Sequence, residues 1–114
     1  MSKSTRYFSN KQEKNVSKNL GGKKVANSGA TPFRKGDVEL DDILIECKTC
    51  TTPKKSFSIK KEWLKKNKEE AFAMNKSFSA LAFNFGDLKN SENYYIIDES
   101  TFKYFLQLIK QEEK

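Results

Sequence analysis

A chain of 114 residues, 36% hydrophobic and 32% charged, has room for one compact domain with a modest core and not for two; nine Phe, four Tyr and one Trp exclude disorder over most of its length. It has no His and only two cysteines, Cys47 and Cys50, which excludes a disulfide framework, imidazole catalysis and His-ligated zinc, and leaves proton transfer and metal binding to carboxylates, Lys, Tyr or Cys. Its net charge of +7 is spread unevenly, an acidic island between two basic flanks, and basic surface of this kind attracts phosphate backbones.

Residues 1–36 hold nine basic side chains and one acid, Glu13. Residues 1–9 read as a flexible basic arm and 10–114 as a single domain. The pattern predicts a helix from Asn10 to Leu20, stopped by Gly21-Gly22. Glu13 shares a face with Val16 and Leu20, so it points inward; Asn10-x-x-Glu13 also reads as a capping box, in which the carboxylate serves the helix N-terminus. Asn27-Ser28-Gly29-Ala30-Thr31-Pro32 is a loop by composition.

Residues 37–53 hold five acids and one base, and residues 36–49 read as a β-hairpin. With Asp41-Asp42 as a two-residue turn, Leu40 pairs with Ile43, Val38 lies opposite Ile45, and Asp37 lies opposite Glu46. One face is then Val38, Leu40, Ile43, Ile45 and Cys47; the other carries Asp37, Glu39, Leu44, Glu46 and Lys48. Cross-strand Cβ atoms stand about 4.5–5.5 Å apart, where like charges destabilise a hairpin. A divalent cation would resolve that conflict, since magnesium is held by one or two carboxylates together with phosphate and water. Lys48, on the same face, is placed to orient an attacking water or to balance charge developing on a phosphate. The plain alternative is an amphipathic hairpin with a solvated polar face and a Glu46–Lys48 surface pair.

Cys47-x-x-Cys50 lacks the further ligands a tetrahedral zinc site needs, and the alternation turns Cys47 into the apolar face as a small hydrophobe. Residues 54–76 are basic again. Ser58 is predicted to cap a helix running to about Asn75, with Ile59, Trp63, Leu64 and Phe72 as core contacts. Strands are expected at Ser79–Phe85 and Tyr94–Ile97. A last helix from about Asp98 places Phe102, Phe105, Leu106 and Ile109 on one stripe. The element order predicts an α/β sandwich, a central mixed sheet of about four strands flanked by helices. The absence of a membrane-length apolar run or an apolar leader predicts a cytoplasmic protein.

Gly36-Asp37-Val38 followed by Ile45-Glu46-Cys47-Lys48-Thr49 resembles the PD-(D/E)xK nuclease pattern, with Gly36 where Pro often stands. More closely, the chain resembles archaeal-type Holliday junction resolvases and their phage-encoded relatives, well over about the first 75 residues and by element order thereafter. The resemblance implies a restriction-endonuclease-like core and a homodimer that cleaves DNA phosphodiester bonds at four-way junctions, with Mg2+ (or Mn2+ in its place). Asp37, Glu46 and Lys48 would then be catalytic, Glu13 a further acid at the metal, the Cys47 main-chain carbonyl a ligand, and Ser28 with Gly29 a phosphate contact. Arg6, Lys11, Arg34, Lys35, Lys54, Lys55, Lys60 and Lys61 would line the DNA. Trp63 stands near the place where many members carry a Gln. Two other readings remain: a nicking, repair or restriction-like nuclease of the same superfamily, and a non-catalytic basic DNA-binding protein.

Overall fold

The computed structural model describes residues 5–25, 37–86 and 92–113. In chain order these form α1 (Thr5–Leu20), β1 (Lys23–Lys24), β2 (Val38–Glu39), β3 (Ile43–Lys48), α2 (Lys61–Ala73), β4 (Phe78–Phe83), β5 (Tyr94–Ile96) and α3 (Glu99–Glu112). The strands make one five-stranded mixed sheet in the order β1-β2-β3-β4-β5. Every neighbour pair is antiparallel except β3 and β4, which run parallel through the α2 crossover. The α/β class and the mixed sheet are as expected, with the short strand β1 as a fifth member. No described helix is long and apolar enough to cross a membrane.

The hairpin folds in the anticipated register: Val38 pairs with Ile45 and Glu39 with Leu44, while the Leu40 N–H donates to the Ile43 carbonyl at 2.9 Å across Asp41-Asp42. Its two faces become the two halves of the core. On one, Val38, Ile45, Ala80 and Ala82 pack with Val16 of α1, and Leu40, Ile43, Cys47 and Ile97 close around them. On the other, Leu44 packs with Ala71 of α2, Val25 and Met74. The supposedly polar face is therefore roofed by a helix, so Glu39 is buried and held by Lys76 at 3.8 Å and Lys23 at 3.9 Å.

Five expectations need correcting. Helix α1 begins at Thr5, so residues 5–9 are not part of a flexible arm, and Asn10 lies too deep in the helix for a capping box with Glu13. The reason is a buried stripe at four-residue spacing, Phe8, Gln12 and Val16, whose central Gln conceals it in a polar run. Leu20 is 40% exposed because the helix ends there: Gly21 takes φ 73°, and the Gly22 N–H returns to the Ser17 carbonyl. Ser58 does not cap α2; Lys60 holds that position with no side-chain bond, and Phe72 is 83% exposed while Ala71 and Asn67 face the sheet.

Helix α3 is capped as expected, with Asp98 Oδ1 accepting from the Thr101 N–H at 2.9 Å. Its apolar stripe, however, is not consumed by the core. Tyr104 and Phe105 meet Phe78, whereas Phe102, Leu106 and Ile109 are 54%, 43% and 53% exposed.

Candidate active site

The ExK strand and the residue opposite it meet at the open end of the hairpin. The Asp37 N–H donates to the carbonyl of Ile45, the residue that Val38 pairs with, at 3.1 Å, so Asp37 stands just beyond the paired stretch, where its charge reaches Glu46. Asp37 Oδ2 in turn accepts the Cys47 N–H at 2.7 Å. One strand thus fixes both its own carboxylate and that of its neighbour.

Lys48 lies on the same face as Glu46, its Nζ 3.6 Å from Glu46 Oε1. The ammonium also sits 4.4 Å from the centroid of the Trp63 ring, within cation–π range. Trp63 comes from the first turn of α2, so the helix that roofs this face also seats the lysine. The expectation that Trp63 is core is thereby corrected: the ring is half-buried and packs on Lys48 and Phe57.

Glu13 enters from α1, mostly buried, with Lys24 Nζ 3.8 Å from its Oε1. Burial raises its pKa, and the Asp37 charge raises it further. Asp37 is raised by burial against the opposing influence of the Cys47 amide, Lys48 and Lys24. Glu46 moves most, to about 7, first through burial and then through repulsion from Asp37, which Lys48 only partly offsets; Glu70 of α2 adds to the repulsion. Asp37 thus raises both Glu13 and Glu46, an electrostatic conflict that a cation would relieve.

The donors are hard oxygens, suited to magnesium. Among the described residues, however, no group of three His, Cys, Asp or Glu side chains is arranged to hold a metal ion. Asp37 and Glu46 are the two carboxylates that could hold one, with water and phosphate as the other ligands. The Cys47 thiol is kept protonated by burial and the surrounding carboxylates, which suits its place in the apolar cluster and leaves only its main chain to serve a metal.

Sequence reading missed three contributors. Lys24 supplies positive charge to both Glu13 and Asp37. Trp63 seats Lys48. Gln12, 3% exposed, donates through Nε2 to the Lys48 carbonyl at 2.7 Å, the Ala82 carbonyl at 3.3 Å and Asn93 Oδ1 at 3.1 Å, tying α1 to the ends of β3 and β4. A Gln amid apolar stripe residues was the one available signal.

Of the expected DNA-contacting residues, Arg6, Lys54, Lys55, Lys60 and Lys61 are exposed and Lys11 is half-buried. Ser28, Gly29, Arg34 and Lys35 lie outside the described residues. No family model, curated protein or solved structure matches this chain.

Proposed function

We propose that this chain is a magnesium-dependent endonuclease of the PD-(D/E)xK type, with a restriction-endonuclease-like core, that cleaves DNA phosphodiester bonds at four-way junctions or other branched DNA. The observation that carries this reading is the open end of the hairpin, which gathers Asp37 within electrostatic reach of Glu46 and puts Lys48 beside Glu46. Asp37 and Glu46 would hold the ion, aided by the Cys47 main-chain carbonyl, with Glu13 a further acid nearby and not a third carboxylate ligand; manganese would substitute. When bound, the ion supplies an activated water and neutralises charge on the phosphate.

Within the chain, Asp37 is oriented by the Cys47 amide and Lys48 by Trp63. The ammonium then points its charge at the oxygens that become more negative as phosphorus is attacked. Lys24 balances the inner carboxylates until a cation arrives. Ser28 and Gly29 would touch the phosphate, and the exposed lysines of 54–61 together with Arg6, Lys11, Arg34 and Lys35 would follow the backbone. A homodimer is part of the proposal, supported by the uncovered apolar stripe of α3. So is a cytoplasmic location, where DNA is available.

The lack of a three-ligand cluster among the described residues favours one second reading, a basic DNA-binding protein without catalysis. Incubation with a four-way junction, a linear duplex and a single strand in magnesium or manganese decides between them. Cleavage confined to the junction supports a resolvase; equal cleavage of all three leaves a general nuclease; no cleavage on any of them overturns the nuclease reading.

A further inference from the structure

Among the described residues, Phe8 is the one buried aromatic, and most of the aromatic bulk lies outside the core. The largest fully buried side chains are Leu44, Ile45, Leu81, Val16 and Val38, all aliphatic. Five aromatic rings instead form a continuous band beside the candidate site. Trp63 meets Phe57 at 6.5 Å between centroids, Phe57 meets Phe83 at 5.1 Å, and Phe83 meets Phe85 at 5.5 Å and Tyr94 at 5.7 Å. Phe85 and Tyr94 close the far end at 5.7 Å. None of the five is buried, and Tyr94 is 44% exposed.

The band is built by the sheet. Lys48 pairs with Phe83 and Phe83 with Tyr94, so these three residues stand side by side on one face across β3, β4 and β5. The segment bearing Lys54, Lys55 and Phe57 is pinned to the end of β4: the Lys54 N–H donates to the Phe85 carbonyl at 2.7 Å. Gly86, at φ 82°, has no room for a Cβ against the Thr52 carbonyl, so that segment passes tightly over it.

Cations accompany the rings. Lys48 lies over Trp63, Lys60 Nζ is 5.7 Å from the same ring, and Lys54 and Lys55 are exposed just before Phe57. Acids are present as well: the Tyr94 hydroxyl donates to Glu92 at 3.3 Å, and Lys48 is paired with Glu46 at 3.6 Å. Paired bases bury their faces in the duplex stack and offer nothing to a ring. Unpaired bases do, and rings interleaved with lysines are the arrangement that binds a single strand.

We infer that this band is a stacking platform for unpaired nucleotides, which the lysines hold by their phosphates while the strand leads toward Lys48 and the carboxylates. The inference rests on the nuclease reading for the direction of the strand and narrows its substrate to DNA with unstacked bases next to the cleaved bond. It does not require catalysis for its test.

Trp63 is the chain's one tryptophan, so its fluorescence reports on the band directly. The wild-type protein, in EDTA at moderate salt, is titrated with a thymidine oligonucleotide of about 12 nucleotides, an abasic oligonucleotide of equal length and a duplex of equal length. Quenching by the thymidine strand, with binding at least about ten-fold tighter than for the other two probes, is the expected result. Equal binding of the abasic strand would reduce the interaction to phosphate attraction and overturn the inference; so would tighter binding of the duplex. Tyr94→Leu, an exposed substitution, should weaken thymidine-strand binding about five- to 150-fold, and Tyr94→Phe should restore it. Unchanged binding by Tyr94→Leu also overturns it. Because EDTA removes catalysis, failure here leaves magnesium-dependent cleavage untouched, and absence of cleavage leaves these titrations intact.

Discussion

The Cys47 N–H donates to Asp37 Oδ2 at 2.7 Å, so the strand that presents Glu46 and Lys48 also orients the carboxylate opposite them. A rigid two-strand unit therefore carries both acids and the lysine, and a shift in its register would disperse all three at once. The conflict between the acids has measurable consequences.

The first is a pH dependence of stability. Glu46 is raised from 4.5 to about 7 in the fold, chiefly by burial, and Asp37 and Glu13 are raised in the same direction. A carboxyl whose folded pKa is raised contributes stability that is complete below its unfolded pKa and is lost as pH climbs through the folded value. Thermal melts of the metal-free protein should thus show stability falling between about pH 4.5 and 7 and levelling above, by roughly 1–3 kcal/mol for Glu46. Asp98, held low by Thr101 and Lys68, stays ionised throughout this window and does not contribute. Glu46→Gln should flatten the fall and make the metal-free protein the more stable of the two at pH 8, and magnesium should raise the melting temperature of the wild type alone.

Gln12 gives the second. Gln12→Leu keeps most of the volume but removes one donor from the carbonyls of Lys48 and Ala82, next to a part-buried Asn84–Asn93 pair. Removing one partner of a buried bond costs about 1–3 kcal/mol. A fall of several degrees in melting temperature is expected, with weakened cleavage because the Lys48 main chain loses its anchor.

Trp63 gives the third. A cation–π contact contributes about 0.5–2 kcal/mol, so Trp63→Leu should slow cleavage roughly two- to thirty-fold while Trp63→Phe retains most of it. Single-turnover rates on a branched substrate measure this separately from binding.

Much of the site was legible because it is local. Two Asp residues between alternating segments define a turn, and the turn defines a register that holds as far as Val38 and Ile45; beyond it the Asp37 N–H bonds Ile45 in place of a regular Asp37–Glu46 pairing. Contacts made across the fold were less legible. Trp63 is fifteen positions from Lys48, and only the path of the segment after β3 brings its ring beneath the ammonium. Helix α1 was read too short because Gln12 interrupts its apolar stripe. Phe72 has the bulk of a core residue, yet the small Ala71 is what fits against Leu44. In α3 the stripe itself was legible, but no pattern within one chain tells whether its partner is the chain's own sheet or something else.

That stripe yields the fourth prediction. Phe102, Leu106 and Ile109 are each more than 40% exposed. In a homodimer they would be covered, and Phe102→Glu with Ile109→Glu should shift sedimentation from twice the chain mass to the monomer without loss of helicity. A wild-type chain that sediments as a monomer at high concentration would remove the dimer from the proposal.

The most direct measurement is single-turnover cleavage of a four-way junction in magnesium by the wild type, Asp37→Ala and Glu46→Gln, with junction binding followed separately in EDTA. The expected result is magnesium-dependent cutting by the wild type, a loss of at least about 100-fold in each variant, and binding retained within a few-fold. Cleavage that persists in either variant, or a wild type that binds the junction and never cuts it, would contradict an active site at Asp37, Glu46 and Lys48.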